Sequence, residues 1–154
     1  MKTLASIGKN IFVIDKYFKL HFKNELKKYS LNTAEGMVLL ALYEGDKKTE
    51  GEILSSIHKC EMGMTQEQII YELHYDKSVM ARTMQSLENK GYVIRNPNPN
   101  DSRSFIFSLT NKAKEFRPTL INILRDWTSQ LLNGIDNIDI VRDALSKMKD
   151  NIMK

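Results

Sequence analysis

The chain has 154 residues, a formal net charge of +4, and 42% hydrophobic against 27% charged residues, which suits one soluble domain with a real core. No apolar run is long enough to cross a bilayer, and the N-terminus lacks a secretory apolar region and cleavage site. One cysteine excludes an internal disulfide framework, so the expected compartment is a reducing cytoplasm.

Leu4 to about Tyr29 reads as a long helix, because Leu4, Ile7, Ile11, Ile14, Phe18, Phe22 and Leu26 recur at steps of three or four. So long an apolar stripe needs a large partner surface. Two readings are open: a core helix of one subunit, or a dimerisation helix.

Asn32 or Thr33 can cap a second helix that runs to about Glu44, with Gly45, Asp46 and two lysines forming a turn. Two similar segments follow, TEGEILSSIH (Thr49–His58) and TQEQIIYELH (Thr65–His74). Each opens with Thr and carries Glu or Gln three residues later, as a capping box does. Thr65–Leu73 is taken as the positioning helix, since it leads through His74 and Tyr75 directly into Asp76; the earlier copy is read as an added helix.

Asp76 to Thr110 is the organising stretch. Asp76 is a suitable N-cap, and Met80, Thr83, Met84 and Leu87 fall on one helical stripe. Gly91 sits where a helix C-terminus wants a residue free to take positive φ. Tyr92, Ile94, Phe105, Phe107 and Leu109 then follow a strand's alternation, with Asn96–Ser104 as the polar tip between two strands. A helix followed by a basic-tipped hairpin is a winged helix, suited to duplex DNA. Lys77, Ser78, Ala81, Arg82 and Gln85 lie opposite or beside the apolar stripe and are long donors or small residues. From Lys77 to Lys114 there are seven bases against two acids, while the remaining chain holds 16 bases and 17 acids. The positive excess thus lies in the segment shaped to meet a polyanion.

Asn111 to about Leu132 reads as helix with a stripe from Ala113 to Leu131, and Pro118 is expected to kink or divide it. Asn133 and Gly134 end it, and a last helix spans about Ile138 to Ile152.

The run Leu87-Glu88-x-Lys90-Gly91-Tyr92-Val93-x-Arg95, then Pro99-Asn100-Asp101-x-Arg103, then Leu109-Thr110 resembles the MarR family of bacterial transcription regulators. The Asp-x-Arg wing followed by Leu-Thr is the specific part. The resemblance implies a mainly α fold with a small β-hairpin wing, in which a winged helix-turn-helix (about 31–110) is flanked by N- and C-terminal dimerisation helices (1–30 and 111–154). It implies a homodimer whose two recognition helices enter successive major grooves, with Arg103 reaching the minor groove, Asp101 bracing the wing, and Arg95 beside them. Two departures stand out: Ala113 where the family commonly has Gly, and the extra segment between Gly45 and Gly63. The family also places a small-molecule effector site between the dimer helices and the winged part. Phe12, Phe18, Phe22, Tyr43, Phe116 and Trp127 are candidates to line it, although aromatic stripes at helical spacing are commonly core.

Cys60 and His58 do not make a complete metal-ligand set, and Cys60 is read as incidental rather than redox-sensing. No nucleophile–base set or phosphate-binding glycine loop is present in the sequence, so neither an enzyme nor a cofactor is expected. The expected function is a ligand-responsive repressor that binds a pseudo-palindromic operator as a homodimer. The alternative is a winged-helix module that docks proteins and leaves DNA alone.

Overall fold

The computed structural model describes residues 2–53 and 63–154. Six helices and three short strands follow one another as α1 (Lys2–Lys27), α2 (Thr33–Ile53), β1 (Met64–Thr65), α3 (Gln66–Leu73), α4 (Lys77–Asn89), β2 (Val93–Asn98), β3 (Asp101–Leu109), α5 (Asn111–Leu131) and α6 (Ile138–Ile152). This is a winged helix-turn-helix, with α3 and α4 as the helix pair and β2–β3 as the wing. His58 and Cys60 lie outside the described residues. No helix among the described residues is long and apolar enough to cross a membrane.

The core gathers one stripe from each of five helices: Phe22 and Leu26 of α1, Leu39 and Tyr43 of α2, Ile69 of α3, Met80, Met84 and Leu87 of α4, and Leu120 of α5. Val93 and Phe107 close it from the sheet. α1 and α2 approach closely at Gly36, where a Cβ would stand 2.5 Å from Leu26 Cδ1 and 2.9 Å from Phe22 Cζ. α6 buries no residue.

The helix caps are those the sequence dictates. Thr65 Oγ1 accepts from the Gln68 N–H at 3.2 Å while Gln68 Oε1 accepts from the Thr65 N–H at 2.9 Å, a complete capping box. His74 takes a left-handed conformation at the end of α3 (φ 58°), which turns the chain into Asp76. Asp76 Oδ1 accepts from the Val79 N–H at 2.8 Å. Gly91, at φ 80°, releases the chain from α4 into the wing.

Several expectations are corrected. α2 does not end at Glu44; it runs unbroken through Gly45, Asp46 and both lysines to Ile53, and so takes in the start of the segment read as a separate helix. Lys47, Lys48, Glu50 and Glu52 favour helix there and offset two glycines, and Gly45 leaves room for Met64, whose Sδ would be 3.4 Å from an added Cβ. β1 was not expected; it pairs antiparallel with β3 (Met64 with Phe107, Thr65 with Ile106), giving sheet order β1-β3-β2. The strands reach further into the tip than expected, leaving Pro99 and Asn100 between them, with an irregular register at Pro97 and Asn98. In β2 only Val93 is buried, and Ile94, counted in the strand's alternation, is 49% exposed. Pro118 lies within α5 without dividing it.

Gly63 sits tightly against β3, where a Cβ would meet Phe107 O at 2.6 Å and Ile106 Cγ2 at 2.5 Å. Gly63→Ala is therefore expected to lower the unfolding free energy by about 1–3 kcal/mol in a urea titration, and an unchanged midpoint would remove this contact from the fold's support. A second expectation concerns Asp76, whose carboxyl is held below its ordinary value of 3.8 by hydrogen bonds from the Val79 N–H and the Ser78 hydroxyl. Because the folded value is depressed, the cap's contribution is fully present above the ordinary value and fades as pH falls through the lower one. Asp76→Ala should thus lower the melting temperature near neutral pH, and the gap to the unsubstituted protein should close in acid. A gap equally wide at about pH 2 and about pH 7 would contradict this.

Candidate nucleic-acid interface

α4 is amphipathic by construction. Met80, Thr83, Met84 and Leu87 are buried, and the Thr83 hydroxyl is satisfied by donating to the Val79 carbonyl at 2.8 Å. Lys77, Ser78, Ala81, Arg82 and Gln85 are all exposed and form the outward face. The Ser78 hydroxyl donates to Asp76 Oδ1 at 2.8 Å, which ties it to the cap. Arg82 contributes to lowering the Asp76 pKa, after the hydrogen bonds that dominate it.

The wing tip is set by side-chain-to-backbone hydrogen bonds. Asn98 Oδ1 accepts from the Asn100 N–H at 3.0 Å, and Asn98 Nδ2 donates to Ser104 Oγ at 2.9 Å. Asp101 Oδ1 accepts from the Arg103 N–H at 3.0 Å and lies 3.5 Å from Arg103 Nε. The Arg103 side chain itself is 91% exposed. Turn-forming Asn and Asp thus present an arginine to solvent on a fixed backbone. Arg95, on the adjacent strand, lays its guanidinium 4.5 Å from the Phe105 ring centroid and 3.9 Å from Glu88 Oε1.

Between wing and helices lies a groove of about 590 Å³ that brings Lys77, Arg95, Asp101 and Arg103 together with Gln66 and Asn98. Four of the predicted residues thus line one groove, from the first turn of α4 to the hairpin tip, while Ser78, Ala81, Arg82 and Gln85 lie outside its lining. Gln66 and Asn98 were not singled out from sequence. The Thr65 capping box was the available signal for Gln66, since it places that residue at a helix start.

The count of seven bases overstates the charge offered to a ligand. Lys90 turns inward: its ammonium donates to both carboxylate oxygens of Glu35 at 2.9 Å and to the Ser30 carbonyl at 2.7 Å. Lys112 donates to the Lys90 carbonyl at 2.7 Å and lies 4.5 Å from the Tyr92 ring centroid. Glu35, 1% exposed, was missed in the sequence reading. Its signal was available, because Asn32 and Glu35 exchange side-chain and backbone bonds (2.8 and 3.2 Å) as a capping box does.

The aromatic residues expected near an effector divide. Phe18 stacks on Phe22 at 5.3 Å and meets Trp127 edge-on at 4.9 Å. Phe116 is packed between Tyr29 and Tyr92, at 5.1 and 5.7 Å. Tyr43 is buried, donates to the Ala113 carbonyl, and has its phenol pKa pushed well up by that burial. Phe12 stands apart on α1 at 69% exposure.

Known proteins share this fold. Residues 21–118 match the family described as transcriptional regulator SarA/Rot. The HTH-type transcriptional regulator BilQ of Clostridioides difficile (strain CD3) is 25% identical over 146 residues, 89% of this chain and 88% of that protein. A MarR transcriptional regulator from Methanosarcina mazei Go1 superposes with a TM-score of 0.78 at 26% identity, covering 96% of both chains. A putative MarR family regulator from Listeria monocytogenes, solved in complex with a 26mer DNA, gives a TM-score of 0.78 at 24% identity over 94% of this chain and 87% of that one. The family match spans the end of α1, the helix-turn-helix, the wing and the start of α5, so the chain belongs to the SarA/Rot family of transcriptional regulators, built on the MarR-type winged helix, and is not an enzyme.

Proposed function

We propose that this regulator is a homodimeric repressor that binds a pseudo-palindromic DNA operator. The observation that carries the reading is the pairing of α4's exposed face, including Lys77, Arg82 and Gln85, with a wing that holds Arg103 91% exposed. The first can enter a major groove, and an arginine on a hairpin tip suits a narrow minor groove, where the negative potential is enhanced. The Listeria structural relative, solved with DNA, supports the same use of the fold.

Dimerisation rests on the two ends of the chain. α1 exposes Leu4, Ile7, Ile11 and Phe12, and α6 exposes Ile138, Ile140, Leu145 and Ile152, each between 42 and 84%. Apolar faces of this extent mark interaction surfaces, and a twofold pair would place two copies of α4 on successive grooves. Control by a small molecule is the remaining part of the proposal. An effector bound where the Phe18–Phe22–Trp127 cluster joins α1 to α5 would act by favouring one separation of the two recognition helices.

A gel shift with genomic fragments is the direct test, with salt-sensitive, competitor-resistant binding expected. Arg103→Ala should weaken binding by about 1–3 kcal/mol and alter A·T preference at the operator flanks. Arg82→Ala should either relax preference at one position of each half-site or, if it holds phosphate, lower the salt slope by roughly one. Full affinity in both variants would favour a protein-docking module instead. For the dimer, Leu4→Glu with Ile11→Glu should yield monomers by light scattering and lose operator binding; a dimer of unchanged mass would place the interface elsewhere.

A further inference from the structure

The C-terminal end of α4 is where three elements meet through polar bonds, with the buried carboxylate of Glu35 among them. Glu35, in the first turn of α2, accepts from the Lys90 ammonium with both oxygens at 2.9 Å and from the Ser86 hydroxyl at 3.2 Å. Ser86 and Lys90 stand one turn apart, so the carboxylate grips two successive turns along one side of the helix end. The same ammonium donates to the carbonyl of Ser30, which has φ 58° at the corner between α1 and α2. From the other side Lys112, at the start of α5, donates to the Lys90 carbonyl. The corner that follows α1 and the start of α5 are therefore both tied to the residue that ends the recognition helix.

A carboxylate that is 1% exposed is an expensive way to fasten a helix. Packed apolar residues of the same volume would commonly serve stability as well. What the ion pair can add is specificity: the ammonium finds Glu35 and the Ser30 carbonyl together only when the end of α4 is seated against α2, whereas apolar packing is less directional. We propose that Glu35 and Lys90 are positioning residues that set the pose of α4 relative to α1 and α5, and through it the half-site spacing the protein accepts, without touching DNA. The proposal rests on the DNA-binding, dimeric reading given above.

The test compares the unsubstituted dimer with a double variant, Glu35→Leu with Lys90→Met, which removes both charges and so leaves neither buried alone. Operators with half-sites moved by single base pairs are titrated at several salt concentrations, and amide hydrogen exchange is followed over residues 86–91. The expected result is a folded dimer that loses affinity for the preferred operator by roughly tenfold, about the worth of one lost base-reading pair. Its discrimination between spacings should flatten, and its salt slope should stay unchanged because no phosphate contact is lost. Exchange at residues 86–91 should quicken while that of the α3 amides does not. Lys90→Arg, which keeps the charge, should restore most of the spacing preference.

Unchanged affinity and spacing preference in the double variant would overturn the proposal. So would a salt slope reduced by about one, which would make Lys90 a direct phosphate contact. If the double variant fails to fold, Glu35→Gln is read the same way, since it keeps the shape and removes the charge; wild-type spacing preference there overturns the idea. If the unsubstituted protein binds no DNA, the functional reading fails by itself. The exchange measurement then decides the positioning role, with equal exchange at residues 86–91 counting against it.

Discussion

Glu35 is a charge that water does not reach, and much of the molecule is arranged around it. Desolvating a carboxylate costs several kcal/mol, which only well-placed donors offset. Here the donors are the Asn32 N–H, the Ser86 hydroxyl and the Lys90 ammonium, drawn from the turn that precedes α2 and from the end of α4. Satisfying Glu35 therefore requires that the start of α2 and the end of α4 be in register. Gly36, the next residue, lets Phe22 and Leu26 of α1 approach the same place. One short segment thus fixes the crossing of α1 with α2 on one side and the seat of α4 on the other. The opposite end of α4 is treated differently: Asp76 caps it in solvent, where a hydrogen bond to Val79 is enough.

The sequence was most legible where chemistry is local. Asp76, Thr65 and Gly91 could be assigned because a cap or a positive φ depends on the residue itself and its neighbours. The stripe of Met80, Thr83, Met84 and Leu87 was legible for a related reason, since a helix with one buried face writes its period into the chain. Where the outcome depends on a distant partner, the reading failed. Gly45 looks like a stop, yet it lies inside α2 beside Met64, some twenty residues on. β1 is two residues long and exists through its pairing with β3, which no local pattern reveals. Ile94 was counted in one alternation with Tyr92, but Tyr92 precedes β2, where Val93 is the buried residue and Ile94 is exposed.

The candidate interface shows the same division. Asp101 and Arg103 could be named from a short motif because the tip is built from its own side chains. Counting charge was less reliable, because a lysine's sign says nothing about where its ammonium goes. Lys90 and Lys112 join the structural frame, and Arg95 lies against Phe105. What remains directed outward is a smaller set spread between the helix start and the wing, where Arg103 stands almost wholly in solvent. The field of this face is therefore weaker and more localised than the raw count suggests, and specific geometry has correspondingly more to supply.

The position of the last buried residue along the chain has a consequence for what each segment contributes to folding. Ile123 is the last buried residue, and α6, fifteen residues from Ile138 to Ile152, buries nothing. A helix of that length is marginal in water by itself. The residues that close the winged core all precede α6, so the core owes none of its buried surface to that helix. Opening α6 alone therefore uncovers no buried side chain, and the free energy of that local opening lies far below that of unfolding the core.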